Sequence, residues 1–186
     1  MKNDINLCQN EDSLQFKKVF TKKDTQDIEK FDGVFIDADE KESRKIIESI
    51  KNSKKKIAIK ARDEVFNRRV LETMKIDYLV SLEINTSKDT LKQRGSGFNH
   101  VLAKIAAKNK IDIVVSLENL FLFSGIELSK YIAKIIQNIK ICRKAKCNIK
   151  IASFSKNKFY STNERERLGF SWGMSSQQAR QAILFN

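Results

Sequence analysis

Residues 92–104, Lys-Gln-Arg-Gly-Ser-Gly-Phe-Asn-His-Val-Leu-Ala-Lys, join a basic, glycine-containing turn to a helix start and hold the only histidine in the chain. Phe98, Val101, Leu102, Ile105 and Ala106 recur at helical spacing on one side, and His100 and Lys104, four apart, share the other. The spacing predicts a helix over about 97–109, with Ser96 as N-cap and Gly97 relaxing the backbone just inside it. A helix start leaves N–H groups unpaired, and Lys92 and Arg94 lie just upstream, so the stretch has the makings of a phosphate site. Two familiar phosphate motifs are excluded. The third glycine of a dinucleotide fingerprint falls on His100, and no Gly-Lys-Ser/Thr follows the turn as a P-loop requires.

Asp37 and Asp39 form a second chemically capable pair. At the end of an apolar strand they either share a face and bind Mg²⁺ or cap the next helix. A metal-dependent phosphoesterase built on Asp37, Asp39 and His100 is the enzymatic alternative. It lacks support from the rest of the chain, which has no His-x-His, no Cys-His pair in local register and no nucleophile elbow. Cys8, Cys142 and Cys147 have no metal-ligand spacing, and their odd number argues against a disulfide framework. Cys142 falls on an apolar helical stripe and reads as packing.

Short apolar strands alternate with amphipathic helices along the chain. Strands are expected at 5–8, 16–20, 33–37, 57–61, 77–81, 111–115 and 148–152. Helices are expected at 39–52, 63–74, 97–109, 128–146, 162–168 and 175–184, with a short one ending near Lys30. Such alternation means parallel strands with right-handed crossovers. Periodicity alone leaves open an incomplete or distorted barrel or a doubly wound sheet. No proline linker or internal repeat marks a second domain.

With 41% hydrophobic and 32% charged residues, the 186-residue chain has a globular composition. No apolar run reaches a membrane span and the polar start is no signal peptide, so a cytoplasmic location is expected. Its net charge of +13 is uneven: residues 128–167 hold 11 basic and 2 acidic groups, whereas residues 1–40 hold 6 and 10. A surface that lopsided attracts polyanions, among which nucleic acid is the common intracellular case. The plainer alternative is a general interaction protein whose lysines only keep it soluble.

The run Gly97-x-Asn99-His100-Val101-Leu102-Ala103-Lys104 resembles the signature of the archaeal and eukaryotic ribonuclease P protein component 3 family. The resemblance continues through Asn138-Ile139-x-Ile141-Cys142-Arg143-Lys144 and Ile149-x-Ile151-x-Ser153, and closes with Gly173-Met174 and the helix carrying Ala179 and Ala182. Order and spacing hold from about Gly33 to the C-terminus. The sequence departs at Gly95, where the family usually has aspartate, at Leu82, where many members are polar, and at Tyr160-Ser161-Thr162, in place of an Arg-Ser-Pro turn.

The resemblance implies an α/β fold, a single-domain distorted or incomplete (βα) TIM-like barrel over residues 1–186, with a short N-terminal segment of about 1–15 that is hard to align. That barrel is related to the PHP-type metal hydrolases but lacks their metal ligands. The resemblance also implies an RNA-binding protein subunit of ribonuclease P, supporting RNA-catalysed removal of the 5′ leader from precursor tRNA. The protein would bind no cofactor of its own, Mg²⁺ acting through the catalytic RNA, and the isolated chain would not be catalytic. Its partners would be ribonuclease P RNA and a small ferredoxin-like subunit, with precursor tRNA met indirectly and no membrane. The expected RNA-binding residues are Lys92, Arg94, Asn99, His100 and Lys104, extended by Lys140, Arg143 and Lys144.

Overall fold

A computed structural model describes residues 4–7, 13–85, 88–89, 93–120, 122–155 and 158–185. Seven strands, all parallel, lie in chain order: β1 (Ile5–Asn6), β2 (Leu14–Val19), β3 (Gly33–Ile36), β4 (Lys56–Lys60), β5 (Tyr78–Val80), β6 (Asp112–Ser116) and β7 (Ile149–Ala152). Helices α1 (Glu40–Ile50), α2 (Glu64–Thr73), α3 (His100–Lys108) and α4 (Gly125–Ala145) form the crossovers from β3 to β7. The chain ends in α5 (Thr162–Ser171) and α6 (Ser176–Ala182). Two 3₁₀ turns, Lys22–Thr25 and Ile28–Lys30, replace the single short helix expected before β3. The expected strand at 5–8 reaches Asn6; Cys8 lies outside the described residues.

Alternation along each strand makes two cores. Val34, Ile36, Ile57, Ile59, Leu79, Ile113, Val115, Ile149 and Ile151 face outward and pack under the helices. Phe16, Phe35, Ala58, Tyr78, Val80, Val114, Ala152 and Phe154 face inward and fill the barrel. The inner layers mix large and small residues. Phe154 meets Phe35 at 5.0 Å and Phe16 at 5.9 Å between ring centres. A Cβ on Gly33 would stand 2.5 Å from the Phe16 ring, so that position admits only glycine beside so large a neighbour. Phe185, near the C-terminus, meets Tyr78 at 6.0 Å at the N-terminal end of the strands.

The first and last strands meet, so the sheet curls into a nearly closed seven-stranded barrel. The Phe154 N–H donates to the Ile5 carbonyl at 2.9 Å and the Leu7 N–H to the Ser155 carbonyl at 3.3 Å. Asp4 pins this seam: its carboxylate accepts from Ser153 N–H (3.0 Å), Ser153 Oγ (2.5 Å) and Ile5 N–H (2.8 Å). From α5, Arg165 reaches the same carboxylate at 3.5 Å and donates to the Ile151 and Tyr160 carbonyls. Both charges are buried. Burial raises the Asp4 carboxyl above its ordinary value, against the opposing charge of Arg165.

A second buried carboxyl lies where β5 ends. Ser81 takes a left-handed conformation (φ 66°) and starts the 3₁₀ turn Leu82–Ile84, which turns Glu83 inward. Its Oε1 accepts from Ser116 N–H at 3.1 Å, and the Ser116 carbonyl accepts from the Tyr131 hydroxyl at 2.8 Å. Burial pushes the Glu83 carboxyl up to about 8. Leu82 is also buried, which gives the departure from a polar residue at that position a packing role.

Candidate nucleic-acid interface

The turn ahead of α3 is built by cross-links to neighbouring helices. Ser96 is buried and its hydroxyl donates to Asn138 Oδ1 of α4 at 2.9 Å. Gly97 has φ 65°, and its carbonyl accepts from Asn67 Nδ2 of α2 at 2.9 Å. A Cβ at Gly97 would stand 2.8 Å from the Arg62 carbonyl and 3.0 Å from Asn67 Nδ2. Strain at positive φ and this collision act together, so Gly97→Ala is expected to cost roughly 2–3 kcal/mol. Thermal unfolding checks it, and an unchanged midpoint would show that the turn re-forms elsewhere.

The helix start differs from the expectation. Asn99, not Ser96, is the N-cap: its Oδ1 accepts from Val101 N–H (2.9 Å) and Leu102 N–H (3.0 Å), and α3 begins at His100. Ser96 lies three residues before that cap, buried, with its hydroxyl directed to Asn138. Asn99 Nδ2 meanwhile donates to Glu64 Oε1 at 2.6 Å. Asn99, expected as an RNA contact, thus has both ends of its amide engaged within the protein.

The expected cations fall into three groups. His100 and Lys104 are exposed on successive turns of α3, as the spacing required. Arg94 is exposed but pairs with Asp89 at 2.7 Å, and its backbone N–H donates to Gln137 Oε1 of α4 at 2.7 Å. On α4, Gln137, Lys140 and Lys144 stand three and seven residues apart, so they form one stripe leading away from the Arg94 turn. Lys140 and Lys144 are exposed. Arg143 sits one step round the helix and is exposed at its edge, yet its guanidinium donates to Gly173 O (2.5 Å) and Gln178 Oε1 (2.9 Å). It docks α4 onto the α5–α6 corner. Lys92 lies outside the described residues.

Gly95 keeps its turn despite lacking the family's aspartate. Its N–H donates to Asp89 Oδ1 at 2.8 Å, and with Arg94 this bond holds the Asp89 carboxyl below its ordinary value. Likewise Ser161 and Glu164 form a capping box at α5, supplying a helix start without arginine or proline.

The C-terminal mouth of the barrel, where enzymes of this architecture place their chemistry, holds a different cluster. Asp37, just past β3, receives Lys60 Nζ at 2.9 Å, Lys18 Nζ at 3.4 Å and Arg62 Nη2 at 3.4 Å. Burial raises the Asp37 carboxyl, and the hydrogen bond and charge of Lys60 with the charge of Lys18 outweigh it, leaving the group below its ordinary value. Asp39 does not share this site: its carboxylate caps α1 by accepting from Glu42 N–H at 2.8 Å. Two ammonium groups on Asp37 oppose a divalent cation, and of the two readings open for the pair the helix cap is the one Asp39 takes. Among the described residues no group of three or more His, Cys, Asp or Glu converges on a common point. The sequence signal for the mouth cluster was the two-residue rhythm that sets Lys18 in phase with Phe16, Asp37 with Phe35 and Lys60 with Ala58.

Solved structures with this fold include a chain of an archaeal ribonuclease P with mature tRNA: TM-score 0.75 at 18% identity, covering 97% of this chain and 86% of that one. An amidohydrolase (TM-score 0.54, 11% identity) is covered to 40% of its length by 80% of this chain. At these identities the likeness is one of fold, an α/β barrel. Among curated proteins, ribonuclease P protein component 3 of Methanococcus maripaludis is 27% identical over 128 residues, 68% of this chain and 52% of the relative. That of Methanococcus vannielii is 26% identical over 109 residues, 59% and 44%. The chain thus spans about half the length of the curated relatives it matches. The sequence model of the RNase P subunit p30 family matches residues 3–186, and the chain belongs to that family.

Proposed function

We propose that this chain is an RNA-binding protein subunit of ribonuclease P, acting in the cytoplasm on 5′-leader removal from precursor tRNA. Membership of the family over nearly the whole chain carries this reading. The exposed line of Arg94, Lys104, Lys140 and Lys144, with His100 one turn from Lys104, supplies its chemistry, since Arg and Lys neutralise the phosphates of a folded RNA. In this reading hydrolysis belongs to the RNA and its Mg²⁺. The protein lowers repulsion between packed phosphates, and a small ferredoxin-like subunit binds beside it.

Reconstitution tests the proposal. The chain, ribonuclease P RNA and the partner subunit are combined, and 5′-leader cleavage is scored across Mg²⁺ concentrations. Lys104→Ala with Lys140→Ala is expected to slow cleavage at low Mg²⁺ far more than at high Mg²⁺. Equal loss at both would indicate a folding defect. RNA affinity is expected to fall roughly 10³-fold between about 50 and 200 mM salt if about six phosphates are contacted. Mg²⁺- or Mn²⁺-dependent phosphoester cleavage by the protein alone would replace this reading with a phosphoesterase.

A further inference from the structure

We infer that the C-terminal mouth of the barrel is a second RNA-binding site, which seats one backbone phosphate between Lys18, Lys60 and Arg62 and stacks its base on Phe20. The inference deepens the RNA-binding reading above and rests on it. It concerns a face built by β2, β3 and β4, apart from the line on α3 and α4.

Three cations share one carboxylate there. Lys18 and Lys60 converge on the same Oδ2 of Asp37, while Arg62 holds Oδ1. The cluster is left with an excess of two positive charges, and two ammonium groups are forced toward one oxygen. Their side chains are 25%, 31% and 43% exposed for Lys18, Lys60 and Arg62, so water screens them incompletely yet a ligand can reach them. The groups are also held in place. Register sets Lys60 level with the residue after Ile36, Lys18 lies over the Phe35 ring at 5.8 Å, and Arg62 lies over Phe66 at 5.7 Å. A cation cluster fixed this way loses little side-chain freedom when an anion arrives.

Phosphate suits these donors better than a second carboxylate. It offers several oxygens to two ammoniums and a forked guanidinium at once. Phe20 chooses the source of that phosphate. It follows β2, is 52% exposed, and lies 5.2 Å from the Lys18 ammonium. An exposed aromatic ring beside a phosphate site is a stacking platform for a nucleobase, which inorganic phosphate does not need.

The test uses the full chain with two probes, inorganic phosphate by calorimetry and ribonuclease P RNA by filter binding across salt concentrations. Lys60→Gln with Arg62→Gln should abolish phosphate binding and lower the salt slope for RNA by about one. Asp37→Asn, which removes the competing carboxylate, should strengthen both several-fold. Phe20→Ala should weaken RNA binding roughly tenfold and leave phosphate binding unchanged. If Asp37→Asn lowers stability without strengthening either ligand, the cluster is only an internal ion-pair network and the site is overturned. Phosphate binding that follows the variants while the RNA slope does not would assign the mouth to free phosphate and overturn the RNA source. Should the wild-type chain bind phosphate at the mouth but no RNA under any salt, the reading under the previous heading fails, and the RNA source with it.

Discussion

Replacing Arg165 with methionine is expected to destabilise the protein by about 3–5 kcal/mol, the usual cost of leaving a buried charge without its partner. Arg165 and Asp4 are each about 1% exposed as side chains, and the guanidinium also satisfies the Ile151 and Tyr160 carbonyls. Methionine fills the space but strands the Asp4 carboxylate and leaves those carbonyls without that donor. Adding Asp4→Asn should recover part of the loss, because an amide tolerates burial without a cation. Urea denaturation of the wild type, both single variants and the double variant measures this coupling. A loss below about 1 kcal/mol in Arg165→Met would mean that water already reaches the pair.

Glu83→Gln is expected to change how stability depends on pH. Burial pushes the Glu83 carboxyl up to about 8 in the folded protein, whereas the unfolded chain releases the proton near the ordinary glutamate value of about 4.5. Between those values the folded state binds more protons, so stability falls as pH rises, by up to about 1.4 kcal/mol per unit. Glutamine carries no charge and its Oε1 can still accept from Ser116 N–H, so it removes that slope. The variant should match the wild type near pH 4.5 and exceed it by roughly 3–5 kcal/mol above pH 8. Unfolding free energies measured across this range decide the matter. Parallel profiles would show that Glu83 is ionised in the folded state at neutral pH.

The α/β alternation was legible because each strand is an apolar run and each helix an apolar stripe. The helix at 39–52 appears as Glu40–Ile50 and that at 63–74 as Glu64–Thr73. Periodicity could not choose a barrel over an open sheet, since that choice depends on whether the first and last strands meet. Arg165, the buried partner of Asp4 at that seam, sits in Thr-Asn-Glu-Arg-Glu-Arg, which reads as a solvated helix face. Exposure was legible where spacing decides it, as for His100 and Lys104. The internal hydrogen bonds of Asn99 and Arg143 were not legible, because sequence shows their donors but not the neighbours that use them. Glu64, Gln178 and the Gly173 carbonyl come from elements 30 or more residues away.

The seam between β1 and β7 also bears on the order of folding. Every other strand pair joins neighbours in the chain, and each forms after closing a short loop. The contact of Asp4 with Ser153 spans 149 residues, and bringing such distant ends together costs roughly 4 kcal/mol of chain entropy. That cost is smallest once the intervening strands have already curled the sheet, so the two-residue β1 should dock last and leave first. In hydrogen exchange its amides should report local opening while those of β3 to β6 report global unfolding.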